Sequence, residues 1–197
     1  MQYHSMSPIT GSSAADLGQK MAAQHSIGND SFGWVGDNFI GRTRQLNPKA
    51  TDWGGFFTQA RLQPQLQLAI NNGLNPSAVD LVIGAIDRTN DLFREQQIKP
   101  ALLHGDLWSG NVGFDTVSER SMMFDTAPYF GDPESDLAMT ELFGRFPDEF
   151  YAAYHAVFPR REGYSQRRNV YQLYHAMNHF NLFGSVYESM ITGFCKQ

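Results

Sequence analysis

The chain has 197 residues, 42% of them hydrophobic and 18% charged, with a formal net charge of −5. That composition excludes a disordered chain and suits one domain with a substantial buried core. The acidic balance and the lack of extended Lys/Arg runs exclude a duplex-binding surface, and no apolar run reaches membrane-spanning length. The basic cluster Arg160, Arg161, Arg167 and Arg168 reads as a solvated loop and helix start. Cys195 is the single cysteine and no N-terminal signal pattern stands out, so a reducing cytoplasm is the expected compartment, with no membrane partner.

In chain order, residues 5–13 are rich in Ser, Thr, Pro and Gly and read as a loop. Ser13 can cap a helix over 14–25 whose apolar face holds Leu17, Met21 and Ala22. Residues 26–52 form a long loop studded with Gly and Asn, a length that usually marks function or disorder. Asp52 can cap a helix carrying Trp53, Phe56, Phe57 and Ala60, which Pro64 should kink. Asn75-Pro76 begins another, with Val79, Val82, Ile83 and Ile86 as its stripe. Residues 112–114 and 121–124 predict a hairpin around the polar turn 115–120. Asp132-Pro133 and Pro147 open two more helices, and the last quarter is helical around Val170, Leu173, Tyr174 and Met177. The expected fold class is mainly α with a small β-hairpin, in a single domain.

Chemistry concentrates in the segment His104-Gly105-Asp106-Leu107-Trp108-Ser109-Gly110-Asn111 and in Asp125, which ends the second hairpin strand. Phosphoryl transfer asks a protein for a carboxylate that orients the attacking hydroxyl and for hard oxygen ligands to Mg²⁺. An Asp-x-x-x-x-Asn loop and an Asp across a hairpin supply three such groups, and the two glycines let the backbone turn beside them. Asp and Asn are also ordinary loop residues, so the loop alone is weak evidence; the His, the glycines and the hairpin Asp strengthen it. Gly36 to Thr43 approaches a phosphate-binding loop, but Arg42 stands where the mechanism needs Lys and no strand-to-helix context is expected. His175 and His179 stand four apart on a helix without an acidic partner for a metal, and His25 and His155 carry no signal.

The segment from His104 to Asn111 resembles the catalytic loop of protein-kinase-like small-molecule kinases. Its Leu-Trp-Ser-Gly-Asn ending resembles the fructosamine (ketosamine) kinases in particular. Further similarity runs through residues 32–41, 53–66, 129–139 and 170–174. The resemblance implies the large C-terminal lobe of a kinase-like fold, with residues 1–13 as a hinge-like segment and 101–126 as catalytic loop and metal-binding hairpin. It implies Mg²⁺ and ATP as cofactors and a glycated amine or sugar as substrate. Asp106 would be the base, Asn111 and Asp125 the metal ligands, and His104 and Asp136 the support of the loop. Trp108, Asp37, Asn38 and Glu134 are candidates for substrate contact, with Trp108 open to a core role and Asp37 and Asn38 to a turn role. Thr126 and Pro133 depart from the family pattern, which usually has Pro and Arg there.

No phosphate-covering loop or nucleotide-binding Lys of the family's small lobe precedes these motifs, and Lys20 and Lys49 do not fit the missing role. Weak or absent activity of this chain is therefore expected, and a non-catalytic pseudokinase-like module or a kinase of an amino sugar or choline-like alcohol are the alternatives. A homodimer is expected too, through an apolar face normally beneath the small lobe, with Met6, Ile9, Trp34, Phe39 and Phe130 as candidates.

Overall fold

The computed structural model describes residues 5–94 and 96–196. The hinge resemblance at Met1-Gln2-Tyr3 lies outside them. Eight α-helices and seven short strands follow in order: β1 (Met6–Ser7), α1 (Gly11–His25), β2 (Asn38–Ile40), β3 (Thr43–Gln45), α2 (Trp53–Phe57), α3 (Gln63–Asn71), α4 (Pro76–Phe93), β4 (Ala101–Leu102), β5 (Val112–Asp115), β6 (Arg120–Met123), β7 (Phe130–Gly131), α5 (Pro133–Thr140), α6 (Asp148–His155), α7 (Tyr164–Phe183) and α8 (Glu188–Cys195). Among the described residues the fold is mainly helical with three small sheets, ordered β1-β5-β6, β2-β3 and β4-β7, all antiparallel. Among the described residues no helix is long and apolar enough to cross a membrane.

The helix starts follow their caps. The Asp52 carboxylate accepts from Gly55 N at 2.6 Å, Asn75 Oδ1 from Ser77 N at 3.0 Å and Asp132 Oδ1 from Glu134 N at 3.0 Å. Helix α1 begins three residues earlier than expected, with Thr10 as the cap and Ser13 Oγ accepting from Thr10 N at 2.8 Å. Before Pro64 the helix widens into a π-turn, Thr58–Leu62, rather than breaking. Proline has no N–H for the Ala60 carbonyl. Arg61 Nη1 takes that carbonyl instead, at 3.0 Å. Along α4 the buried face is Ala78, Val82, Ala85, Ile86, Thr89 and Phe93, while Ile83 is 44% exposed. The apolar stripe is thus rotated from its sequence expectation.

The expected loop 26–52 carries the hairpin β2-β3, and the expected loop 5–13 adds strand β1 to the edge of the catalytic hairpin, with Met6 opposite Asp115. The predicted hairpin itself stands, with Val112 opposite Met123. Two apolar clusters hold the helices. One gathers Trp53, Phe57, Val82, Tyr171, Tyr174 and Met177; the other joins Leu17 and Met21 to Leu107, Leu137, Phe150 and Tyr154. The second cluster seats the catalytic loop, because Leu107 is fully buried in it.

Of the basic cluster only Arg160 is solvated; the other three arginines are drawn inward. Arg167 is 1% exposed and grips Glu134 through Nε at 2.6 Å, Arg161 binds Asp132 and Glu134, and Arg168 binds Glu141 at 3.0 Å. Carboxylates from α5 and its C-terminal end draw these arginines inward, since a buried carboxylate needs a paired charge.

Candidate active site

The loop between β4 and β5 is fixed from behind by Asp136 of α5. Its Oδ2 accepts from His104 N at 2.7 Å and its Oδ1 from Gly105 N at 2.9 Å. On its other side Oδ2 meets His25 Nε2 at 3.2 Å, and His25 Nδ1 pairs with the Tyr154 hydroxyl at 2.8 Å. Burial alone would raise the Asp136 carboxyl. The hydrogen bond from His25, the charges of His25 and His104 and the Gly105 amide together hold it below the ordinary carboxylate value. His104 is fully buried, and burial lowers its pKa; its Nδ1 accepts from Asp106 N at 3.3 Å.

Gly105 sits at φ +85°, and a Cβ there would stand 2.0 Å from the Ala127 carbonyl oxygen. Only glycine allows that approach. It lets Ala127 N donate to His104 O at 2.8 Å, while Phe124 N donates to Asn111 O at 3.0 Å. The segment between β6 and β7 is thereby tied to both ends of the loop, and Asp125 lies between the ties with φ +53°. Asn111 Nδ2 donates to Asp106 O at 2.9 Å and to Asp106 Oδ2 at 3.1 Å. That orientation leaves Asn111 Oδ1 as the atom able to meet a cation. Asp125 is exposed. Its charge contributes to raising the Asp106 pKa, which reaches about 6; burial is the main cause, the Asn111 hydrogen bond opposes it, and Asp136 adds to it. Asp106, Asn111 and Asp125 thus belong to one connected assembly. Among the described residues no cluster of three or more His, Cys, Asp or Glu side chains offers a metal site. Beside the base Asp106, the Asp125 carboxylate and the Asn111 amide oxygen are hard oxygen donors of the kind that suits Mg²⁺ completed by water and phosphate.

The substrate candidates divide. Trp108 lies half-buried over Gly110, where a Cβ would meet its ring at 2.3 Å, and its edge meets Phe143 with centroids 6.0 Å apart. Asp37 is committed to its own hairpin, accepting from Asn47 N at 2.8 Å and from Arg44 Nη2 at 2.7 Å. Asn38 donates to Pro128 O at 2.7 Å and accepts from Gln45 and Asn47. Both oxygens of Glu134 are held by Arg161 and Arg167. In these three the structure shows turn, tether and ion-pair contacts within the chain. The His179 ring lies tilted against Phe143 with centroids 4.4 Å apart and His175 is buried, so both rings pack against the helical core.

Two contributors escaped sequence reasoning. His25 continues the buried face Leu17–Met21 by one further helical step, a spacing that could have flagged it. Arg61 is fully buried, lies 4.0 Å from the Tyr129 ring centroid and donates to Asn47 Oδ1 at 2.7 Å, tying the β2-β3 hairpin to the helical core. Only the fold shows it.

The fold, mainly helical with small sheets, is shared with an aminoglycoside phosphotransferase, which superposes with a TM-score of 0.60 at 18% identity, over 99% of this chain and 69% of that one. The chain belongs to the fructosamine kinase family, whose model matches residues 1–197. A Synechocystis sp. protein assigned as a ketoamine kinase is 45% identical over 185 residues, 92% of this chain and 60% of that protein. A Thermobifida fusca crystal structure assigned as a fructosamine-3-kinase superposes with a TM-score of 0.91 at 33% identity, over 100% of this chain and 68% of that one. The chain therefore spans about 60% of the Synechocystis relative's length.

Proposed function

We propose that this chain is the catalytic large lobe of an ATP-dependent ketoamine kinase, which phosphorylates a hydroxyl on the sugar of a glycated amine. The observation that carries this reading is the Asp106–Asn111–Asp125 assembly held by Asp136. Asp106 orients the substrate hydroxyl and accepts its proton. A carboxyl pushed up to about 6 takes a proton more readily than an ordinary aspartate, yet is ionised near neutrality. Asn111 Oδ1 and Asp125 would hold Mg²⁺, which supplies charge neutralisation at the transferring phosphoryl group. Asp136 and His104 fix the loop backbone, and Trp108 offers an aromatic face beside the base.

Among the described residues no strand carries a lysine; Lys20 lies on α1, bound to Asp16 at 2.6 Å and to Ser121 O at 2.9 Å. The clamp on the nucleotide phosphates is therefore assigned to the part of the longer relatives that this chain does not span. Because phosphate clamping supplies much of the rate of phosphoryl transfer, the 197-residue chain is expected to turn over at least about a hundredfold below the ~1–100 s⁻¹ usual for kinases. Phosphorus NMR of the chain with Mg-ATP and fructosyl-lysine reads this directly. A slow phosphomonoester signal that disappears in Asp106→Ala supports the reading. Phosphate release to water alone, or a signal unchanged in Asp106→Ala, refutes it.

The same reading places the chain as a homodimer at micromolar concentration through a face containing Met6 and Phe39, which are 40% and 61% exposed. Ile9 is not part of that face, being buried against α1 and α6, and Trp34 and Phe130 pack on each other with centroids 5.4 Å apart. Light scattering should give twice the chain mass, and Met6→Ser with Phe39→Ser should give a monomer; a monomeric parent ends the idea.

A further inference from the structure

His25, which meets Asp136, also lines a cavity of about 420 Å³ bounded by the end of α1, residues 97–101, the start of α5, α6 and the 158–164 segment. That volume lies within the range that takes a drug-sized ligand. Its wall is largely apolar and aromatic: Pro100, Leu137, Tyr154, Phe158 and Tyr164, with His25 at the inner end. None of these side chains belongs to the assembly that contains Asp106, Asn111 and Asp125.

The charges around the cavity are sorted by depth. Three carboxylates reach it, and each is neutralised. Asp132 is held by Arg161 and by the Tyr171 hydroxyl, each at 2.6 Å; Glu134 by Arg161 and Arg167; Glu141 by Arg168 and the Tyr164 hydroxyl. Three arginines answer three acids, so the inner wall carries no net charge. Two further cations stand exposed at the mouth, Lys99 and Arg160, and among the described residues neither has a carboxylate partner. Arg160 lies 5.1 Å from the Tyr164 ring centroid, which directs its guanidinium along the aromatic wall. A neutral aromatic slot with two unpaired cations at its mouth is complementary to a flat apolar body that ends in one negative charge.

We propose that this cavity is a binding site for a small aromatic monoanion, its ring between Tyr154, Phe158 and Tyr164 and its anionic group on Lys99 and Arg160. The site is separate from the phosphotransfer assembly and does not depend on the kinase reading. Isothermal titration of the purified chain with 1-naphthoate and with the neutral 1-naphthylmethanol tests it. One saturable site is expected, with the anion bound about five- to tenfold more tightly, the advantage two partly exposed ion pairs provide. Lys99→Gln with Arg160→Gln, both at exposed positions that leave the fold intact, should erase that preference while retaining the neutral ligand. Ser26→Trp, which fills the mouth, should abolish binding of both. Absence of saturable naphthoate binding, equal affinity for the two probes, or affinity unchanged in Ser26→Trp each overturns the proposal.

Discussion

Asp136→Ala is expected to lower the unfolding free energy by roughly 3–5 kcal/mol, the range seen when one partner of a buried charged network is removed. The carboxylate is 1% exposed and serves three donors: His104 N, Gly105 N and the His25 ring. Alanine would leave two buried amides and an imidazole without an acceptor, and unmade buried hydrogen bonds cost about 1–3 kcal/mol each. Asp136→Asn does not restore the arrangement, because its NH₂ would face one of the two amide donors. The local signature is amide exchange. His104 and Gly105 should lose protection in Asp136→Ala out of proportion to global stability, since both amides depend on this one side chain. His25→Leu should cost less, and combining it with Asp136→Ala should be clearly less than additive, because both changes remove the same 3.2 Å contact. Additive losses, with normal protection at His104 and Gly105, would show that Asp136 does not brace the loop.

That brace was legible in the sequence only through family resemblance, and the contrast with the rest of the site has a physical basis. Asp106 and Asn111 are five residues apart in one loop, so their mutual hydrogen bond is a local event. The hairpin leading to Asp125 is equally local, written in alternating strand residues and a polar turn. The contacts of His25, Arg61 and the arginines of α7 are different in kind. His25 and Asp136 are 111 residues apart, and Arg167 and Glu134 are 33. A lone basic side chain carries no local mark of the carboxylate that will bury it. Strand β1 was missed for the same reason: its pairing with β5 spans more than 100 residues, and a two-residue strand shows no alternation. Asp37 and Asn38 stay open between sugar contact and turn in the sequence because loop Asp and Asn are chemically ambiguous. Their partners Asn47, Arg44 and Gln45, which close the hairpin, lie 7–10 positions further along the chain.

His175 should make this protein less stable as pH falls from 7.5 to 5, a loss that Asp106 partly offsets because its carboxyl, raised to about 6, takes up a proton in the folded state over the same range. The residue is 1% exposed in α7, its ring 4.9 Å from that of Tyr174, and among the described residues its Nδ1 has no hydrogen-bond partner. Burial pushes its pKa down to about 3; neighbouring His179 and Arg61 act in the same direction and Asp136 against it. In the unfolded chain an imidazole titrates near 6.5. Between those values the unfolded chain holds a proton that the folded one rejects, so the contribution is complete above about pH 6.5 and is lost progressively as pH falls toward 3. The slope is about 1.4 kcal/mol per pH unit, which makes pH 5 roughly 2 kcal/mol less favourable than pH 7.5. His104, with its pKa also lowered by burial, adds to the same trend. His175→Leu keeps a buried apolar volume and removes both the titration and the unpaired nitrogen. Urea unfolding of the two proteins at pH 7.5 and pH 5 should show a clearly smaller loss for the variant, leaving it about 2 kcal/mol ahead of the parent at pH 5 relative to their difference at pH 7.5. Parallel losses in parent and variant would remove His175 as the origin of the acid limb and assign it to His104 and the carboxylates.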